Sequence, residues 1–152
     1  MEAIDQEILA LLSANGRMSF TDVGKATGLS TSAAQQRVRR LEQRGLIRGY
    51  RADINPSAVG RGMMAFISVR PMKPRDDDTI PEQLTQIPEI TSCYSVAGDS
   101  SFILVAQVAS PAALDVLLGH VRRSANVMTT TTVVLTTIFE DRPLVGLPQQ
   151  SG

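Results

Sequence analysis

The segment between Ser30 and Gly45 constrains the fold of this 152-residue chain more than any other. Serine is a preferred helix N-cap and glycine a preferred residue just past a helix end, so the segment predicts a helix that runs to about Arg44. Its apolar residues recur at three- and four-residue spacing and therefore fall on one narrow face. They are Ala34, Val38 and Leu41. This stripe must be the buried face of the helix.

The opposite face of this helix carries polar and basic side chains. They are Ser32, Gln36 and Gln43 at its centre, with Gln35, Arg39 and Arg40 beside them. Glutamine can pair with adenine, and arginine with guanine or phosphate, so this composition favours contact with DNA. A merely solvated face would mix Glu with Lys at helical spacing, whereas this helix contains a single acid, Glu42. The predicted DNA-binding residues are Thr31, Ser32, Gln35, Gln36, Arg37, Arg39, Arg40 and Arg48.

The neighbouring sequence predicts a helix-turn-helix. A short helix over 20–27 begins at the capping pair Ser19 and Asp22, and Gly28 closes it. This helix, a turn and the following helix with its basic outer face form the motif. Apolar residues at helical spacing predict a further helix before them, which ends at Asn15-Gly16 in the left-handed conformation.

The charge distribution supports contact with nucleic acid. The formal net charge is zero, but residues 1–52 hold eight Lys and Arg against five Asp and Glu, a net +3, and residues 53–152 hold seven against ten, a net −3. Between Arg37 and Arg51, six arginines stand against one acid. Such a basic segment is the footprint expected of a phosphate-binding element. Alternation over 46–51 predicts a short strand that offers Arg48 and Arg51 to the same phosphates.

The basic character ends at residues 53–62, whose turn-forming composition indicates a hinge. Beyond it the pattern is strand, helix, strand, strand, helix, strand, the order of a ferredoxin-like fold. The predicted elements are a strand over 63–71, a helix after Thr79, strands over 90–96 and 101–108 around a turn at 97–100, a helix after Ser110, and a strand over 127–139. Because the last strand is long, we expect its end to pair with another copy of the chain.

The chain is thus predicted to be an α+β protein with two domains. The predicted boundaries are a helix-turn-helix, winged-helix-like domain at 1–52, a hinge at 53–62, a ferredoxin-like domain at 63–140 and a C-terminal tail at 141–152. No apolar run is long enough for a membrane span, and the N-terminus has no leader pattern, so we expect a cytoplasmic protein.

No motif indicates catalysis or a bound cofactor. Cys93 is the only cysteine, which excludes an internal disulfide, and we interpret it as a small buried hydrophobe. We interpret His120, the only histidine, as a surface or interface group. The run over 76–78 is three aspartates, which we interpret as a loop because consecutive carboxylates do not converge easily on one ion. We therefore expect no cofactor and no metal.

Several motifs together resemble the Lrp/AsnC, or feast/famine, transcription regulators. In the first domain they are Asp5-x-x-Ile8-Leu9 with Asn15-Gly16-Arg17, then Gly28-Leu29-Ser30, then Arg37-Val38-x-Arg40-Leu41-Glu42-x-x-Gly45-Leu46-Ile47-x-Gly49-Tyr50. Asn55-Pro56-x-x-Val59-Gly60 is similar to the family's hinge, and Cys93-x-x-Val96-x-Gly98 to its second strand and turn. The resemblance extends from about residue 3 to residue 140.

The resemblance implies a regulator that binds double-stranded DNA and senses a small molecule, typically an amino acid. It further implies dimers formed through the sheets and octamers assembled from dimers. Carried over by position, the effector-binding residues are Ala97, Gly98, Asp99, Ser100, Ser101, Thr129 and Thr131. The family often has an acid three positions after the turn glycine, where this chain has Ser101, so either Asp99 contacts the effector's amino group instead or the ligand differs. A second departure is Gly24, where the family usually has alanine.

Two other interpretations are left open by the sequence. Siroheme decarboxylases share this two-domain architecture, so an enzyme is one alternative. It would need His and Arg residues over a tetrapyrrole, and the chain has only His120. The other is a sensor or assembly partner that does not bind DNA, against which the basic helix face argues.

Overall fold

The computed structural model describes residues 1–73 and 78–146, and they form two compact units. The first comprises residues 1–53 with residues 139–146, and the second comprises residues 54–138. Of the three consecutive aspartates, only Asp78 lies within the described residues.

The first unit contains three helices around a small apolar core. They are α1 (Ala3–Ala14), α2 (Phe20–Thr27) and α3 (Thr31–Gln43). The predicted caps are present, because Ser19 Oγ accepts from the Asp22 amide at 3.1 Å and Ser30 Oγ from the Ala33 amide at 3.2 Å. Gly28 ends α2 in the left-handed conformation. The core consists of Ile8, Val23, Ala34, Val38 and Leu41.

Two local predictions for this unit are wrong. Asn15 ends α1 in an extended conformation, because its side-chain oxygen accepts from the Arg17 amide at 3.1 Å and turns the chain there. Residues 46–51 form no strand. Since all the strands among the described residues lie in the second unit, this segment has no strand within its own unit with which to pair.

Helices α2 and α3 approach closely at Gly24. A methyl group on Gly24 would lie 2.6 Å from the carbonyl oxygen of Leu29, in the turn between the helices. The Leu29 amide in turn donates to the Gly24 carbonyl at 2.9 Å. The absence of a side chain therefore lets the turn lie against α2, which offsets the low helix propensity of glycine.

The second unit has the predicted ferredoxin-like order. Its elements are β1 (Met63–Pro71), α4 (Ile80–Thr85), β2 (Ile90–Ser95), β3 (Phe102–Val108), α5 (Pro111–Ala125) and β4 (Val127–Val133), preceded by a 3₁₀ turn at Ser57–Val59. The strands pair antiparallel in the order β2-β3-β1-β4. At the start of α5, Ser110 Oγ accepts from the Ala113 amide at 3.1 Å. None of the helices in residues 1–73 and 78–146 is long and apolar enough to cross a membrane.

The two faces of this sheet differ. One face packs against the side chains of α4 and α5. Side chains along each strand alternate between the two faces, so the buried residues of the strands all lie on this one. These residues are Ala65, Ile67, Val69, Phe102, Leu104, Ala106, Val108 and Val127. On the other face Phe66, Tyr94 and Met128 are 41%, 56% and 52% exposed. An apolar sheet face open in the single chain is a surface suited to another protein.

The last strand is shorter than predicted. It ends at Val133, which pairs with Ala65, and one further hydrogen bond joins the Val134 amide to the Met64 carbonyl at 2.9 Å. Because β1 begins at Met63, the residues after Val134 have no partner strand within residues 1–73 and 78–146. Leu135 and Ile138 are 94% and 84% exposed there.

We predict that Gly24→Val destabilises the first unit by roughly 1–3 kcal/mol, because the added side chain meets the Leu29 carbonyl. Ala26→Val is the matched control, since Ala26 is exposed on the same helix and should lose less than about 1 kcal/mol from helix propensity alone. Urea denaturation followed by circular dichroism measures both. Equal losses in the two variants would show that the contact at Gly24 is not tight.

Candidate nucleic-acid interface and small-molecule site

Helix α3 is oriented by its apolar stripe. Ala34, Val38 and Leu41 are at most 1% exposed and lie in the core of the first unit. Residues on the opposite side of the helix consequently face outward. Of the predicted contact residues, Thr31, Ser32, Gln36, Arg39 and Arg40 are exposed and Gln35 is half-buried. We refer to Ser32, Gln35, Gln36, Arg39 and Arg40 as the outer face of α3.

Hydroxyl groups surround the start of this helix. Thr31 Oγ1 lies 3.3 Å from Thr21 Oγ1 of α2, and Ser32 Oγ lies 3.3 Å from the capping Ser30 Oγ. No acid occurs in the first turn of α3. The amide groups that begin a helix attract anions, so this end is compatible with a nearby phosphate.

Arg37 lies apart from the outer face. Its guanidinium donates to Asp5 Oδ1 at 2.8 Å and pairs with Glu2 Oε2 at 2.9 Å, so it ties α3 to the start of α1. Asp5 is the buried charged residue in the described part of the chain. The hydrogen bonds that Arg37 donates to Asp5 and Glu2 raise its pKa above the ordinary value. These contacts give Arg37 a role in holding α3 to the start of α1, and the DNA contact predicted for it stays a prediction.

The other arginines of the basic segment are not neutralised. Within residues 1–73 and 78–146, none of them forms an ion pair, and all are exposed. They are Arg39, Arg40, Arg44, Arg48 and Arg51. The first unit therefore presents a group of free positive charges on α3 and on the segment that follows it.

Glu42, the single acid within this segment, is engaged by Tyr50. The Tyr50 hydroxyl donates to Glu42 Oε1 at 2.9 Å and so fastens residues 46–51 to α3. Partial burial, together with the hydrogen bond and the charge of Glu42, raises the pKa of Tyr50 to about 12. The hydroxyl therefore stays protonated at neutral pH and keeps this hydrogen bond. The bond anchors to α3 the segment that contains Arg48.

The turn between β2 and β3 forms a compact corner. Gly98 has φ 141°, a conformation that favours glycine, and the Val96 amide donates to the Ser101 carbonyl at 3.0 Å. The Ser101 amide donates to the Val69 carbonyl at 3.0 Å, which joins this corner to the end of β1. Asp99 is almost fully exposed at its tip.

Arg70 is a residue that the sequence reasoning missed here. Its Nη2 lies 4.0 Å from Asp99 Oδ2, at the outer limit of an ion pair. The pairing register could have indicated it, because β1 and β3 are antiparallel and the end of β1 must adjoin the turn before β3. The corner therefore carries one positive and one negative side chain in loose contact.

The two threonines assigned to the same site lie elsewhere in the single chain. Thr129 pairs with Val69, whose other neighbour is Phe102, so about 10 Å of sheet separates β4 from β3. Both Thr129 and Thr131 are half-buried on the helix-covered face, and Thr129 Oγ1 accepts from Arg122 Nε at 2.8 Å. The structure thus brings together residues 97–101 but does not bring the threonines to them.

The interpretation of Cys93 as a buried residue is wrong. The thiol is exposed because β2 is an edge strand of the sheet, although partial burial still raises its pKa. His120 is exposed on α5. No group of three or more metal-ligating side chains occurs among the described residues.

Family descriptions match both units. Residues 1–42 match the AsnC-type helix-turn-helix domain, and residues 64–144 match the Lrp/AsnC ligand binding domain. Together these matches cover most of the chain.

Proteins of known identity are similar over nearly the whole length. The HTH-type transcriptional regulator LrpA of Mycobacterium tuberculosis is 45% identical over 142 residues, which are 93% of this chain and 95% of that protein. The leucine-responsive regulatory protein of Escherichia coli is 32% identical over 122 residues, 79% of this chain and 74% of that protein. A solved structure of a feast or famine regulatory protein from M. tuberculosis, complexed with L-methionine, superposes with a TM-score of 0.91 at 44% identity and covers 95% of this chain and 98% of that one.

A more distant structure has the same fold and also holds methionine. The L-methionine complex of a transcriptional regulator from Neisseria meningitidis superposes with a TM-score of 0.88 at 25% identity, covering 95% of this chain and 96% of that one.

Proposed function

The chain belongs to the Lrp/AsnC family of transcription regulators, and on that premise we propose that it reads DNA with the outer face of α3 and responds to an amino acid bound beside Asp99. Five arginines without an ion pair among the described residues, beside the exposed Gln36, are the single observation that carries the first half of this proposal. Its second half rests on the paired charges at the β2–β3 corner.

The arginines and glutamines have different tasks in this mechanism. Arg39, Arg40 and Arg48 contact phosphates, which supplies affinity that depends on salt but not on sequence. Gln36, at the middle of the outer face, reads base edges in the major groove, where a glutamine pairs bidentately with adenine. Thr31 and Ser32, at the start of α3, contact the sugar-phosphate backbone of the DNA. Two copies of α3 in a dimer read two half-sites.

The open face of the sheet supports a dimer. Phe66, Tyr94 and Met128 expose apolar surface there, and covering it with a second copy of the chain removes that surface from water. We further propose that dimers assemble into octamers in the cytoplasm, as the family resemblance implies. An effector then acts by binding one assembly more tightly than another.

The corner at 97–101 fits the two charges of an amino acid. Asp99 can accept from the ammonium group and Arg70 can donate to the carboxylate, and their loose separation of 4.0 Å leaves both accessible. L-methionine in two relatives of this fold supports the ligand class. Thr129 and Thr131 complete the site only from a neighbouring copy, because in one chain they lie away from this corner.

The two alternative functions have less support. The similar proteins of known function named above are regulators, and the single histidine lies on α5 without a facing cluster of metal ligands among the described residues. A sensor that does not bind DNA leaves the five free arginines without a role.

We predict that Gln36→Ala and Arg39→Gln weaken DNA binding in different ways. Gln36→Ala should lower discrimination at one base pair by roughly 1–3 kcal/mol, because alanine cannot form the bidentate pair with the base. Arg39→Gln should weaken binding to all sequences and reduce the slope of log affinity against log salt by about 0.9 for each phosphate that the variant no longer neutralises. Fluorescence anisotropy over a salt series, on duplexes selected from random DNA, measures both quantities.

Arg123→Gln is the matched control for this experiment, since Arg123 is an exposed arginine of α5 in the second unit. It should leave the affinity and the slope unchanged. The assignment is wrong if Gln36→Ala weakens all sequences equally or if Arg39→Gln keeps the full salt slope.

We also predict that Asp99→Asn weakens amino-acid binding about tenfold or more, because the charge-assisted hydrogen bond to the ammonium group is removed. Isothermal titration with L-methionine and L-leucine measures the change. Asp115→Asn, which neutralises an exposed carboxylate on α5, should bind like the unmodified protein. Unchanged affinity in Asp99→Asn would remove Asp99 from the site.

A further inference from the structure

The first unit contains a groove of about 660 Å³ beside the basic segment. One wall is the second half of α1 and the other is the chain that follows α3, with residues 144 and 145 at one side. All of these residues belong to the same unit. The volume lies within the range of small-molecule sites, about 300–1,000 Å³.

The floor of this groove is apolar. Leu9, Leu12 and Ile47 pack on the core of the first unit, but they are only half-buried and leave part of their surface open. Leu46, which lines the same groove, is 38% exposed. Because the core consists of only five buried residues, the layer of side chains around it is incompletely covered. An aliphatic chain that covers this layer removes apolar surface from water, which favours its binding.

Two positive charges line the same groove. Arg48 and Arg51 belong to the wall that follows α3, and both are exposed without an ion pair to any residue in 1–73 and 78–146. No acid occurs among the described residues that line the groove. Guanidinium groups bind carboxylates through pairs of charge-assisted hydrogen bonds. An apolar floor with a positive rim therefore corresponds to the aliphatic chain and the carboxylate of a fatty acid.

The nearest acid favours a head group with a single negative charge. Tyr50 lines the groove between the two arginines in sequence, and its hydroxyl donates to Glu42 at 2.9 Å. The Glu42 carboxylate thus lies one hydrogen bond beyond the lining. It repels a carboxylate less than it repels a phosphate with two charges.

We propose that this groove binds a medium-chain fatty acid. Its carboxylate pairs with Arg48 and Arg51, and its aliphatic chain lies on the apolar floor. The binding itself does not depend on the proposed function, but its consequence does. Since Arg48 contacts DNA phosphates in the proposed function, a carboxylate on Arg48 competes with DNA. The fatty acid therefore weakens DNA binding through a site in the first unit, separate from the β2–β3 corner.

Isothermal titration of the full chain with octanoate tests the site directly. We expect one octanoate per chain. Shorter acids should bind about fourfold more weakly for each methylene removed, because each methylene buries a similar apolar area. Octan-1-ol, which has the same chain without the charge, should bind about tenfold or more weakly than octanoate. Binding that is independent of chain length would be attraction of an anion to an exposed arginine, and it would overturn the proposal.

Ser13→Glu separates the groove from the proposed DNA contacts. Ser13 is exposed, lines the groove from α1 and lies outside the outer face of α3, so a carboxylate there should weaken octanoate binding about tenfold or more. Ala14→Glu is the matched control, because Ala14 is the adjacent exposed residue and does not line the groove. It should bind octanoate like the unmodified protein.

Arg48→Gln tests the pairing with the carboxylate. It should weaken the binding of octanoate but leave the binding of octan-1-ol unchanged, because the alcohol carries no charge for the arginine to pair with. An equal loss for both ligands would mean that Arg48 holds the wall of the groove, and it would overturn the assigned pairing.

The effect on DNA is measured by fluorescence anisotropy with octanoate added. Octanoate should weaken DNA binding in the unmodified protein and in Ala14→Glu, and Ser13→Glu should lose this response. Sodium acetate at the same concentration is the control, since it supplies the same ionic strength without an aliphatic chain. Octanoate that binds in the groove but leaves the DNA affinity unchanged would support the site and remove Arg48 from the proposed phosphate contacts.

The remaining outcomes overturn the proposal. They are failure of the unmodified protein to bind octanoate, and equal binding in Ser13→Glu. The measurements on Gln36→Ala and Arg39→Gln still decide the proposed function in either case. Octanoate binding that appears only in Leu147→Asp would place the chain's own C-terminal residues in the groove. A change of oligomer size in Ser13→Glu, without octanoate binding to the unmodified protein, would place a second copy of the chain there.

Discussion

The burial of one narrow stripe on α3 is the constraint on which the DNA-binding account depends. Ala34, Val38 and Leu41 have no exposed surface to spare, and they pack with Ile8 and Val23 in a core of few residues. Only one rotation of α3 about its own axis buries all three of these residues in so small a core. That rotation decides which side chains face outward, so the packing of five apolar residues sets the positions of Gln36 and Arg39. Gly24 belongs to the same constraint, because it lets the turn before α3 lie against α2.

The second unit is organised by the unequal covering of the two faces of its sheet. Its sheet is covered by helices on one face only, and the uncovered face exposes Phe66, Tyr94 and Met128, which favours assembly with another copy. The turn between β2 and β3 adjoins the end of β1, which brings Asp99 and Arg70 together. Asp99 and Arg70 are only loosely paired within the chain, which leaves both groups accessible to a ligand.

Much of this architecture could be predicted from the sequence because its signals are local. The caps at Ser19 and Ser30 and the strand over 63–71 depend on residues close together in the chain, and they appear where the pattern indicated. The failures concern partners distant in sequence. The ion pair of Arg37 with Asp5 was not anticipated, because the two residues lie 32 positions apart in the chain. The last strand, β4, ends where β1 offers no further pairing. The residue pattern of β4 alone does not reveal how long β1 is.

The functional sites also differ in whether the local sequence reveals them. The outer face of α3 follows from the helical repeat of one segment, so it was accessible to sequence reasoning. Arg70 comes to lie beside Asp99 only through the antiparallel pairing of β1 with β3. Charges brought together by tertiary structure leave no spacing rule in the sequence. They are found by asking which charged groups the folded chain leaves without a partner.

The orientation of α3 toward DNA is the central claim, and a tethered cleavage reagent tests it most directly. A DNA-cleaving iron chelate is attached to Gln36→Cys in a Cys93→Ser background, with Glu7→Cys on α1 as the comparison position. The account predicts strand breaks at defined major-groove positions of a duplex selected from random DNA, and few or none from position 7. Equal cleavage from both positions, or none from position 36 on DNA that the protein demonstrably binds, would contradict it.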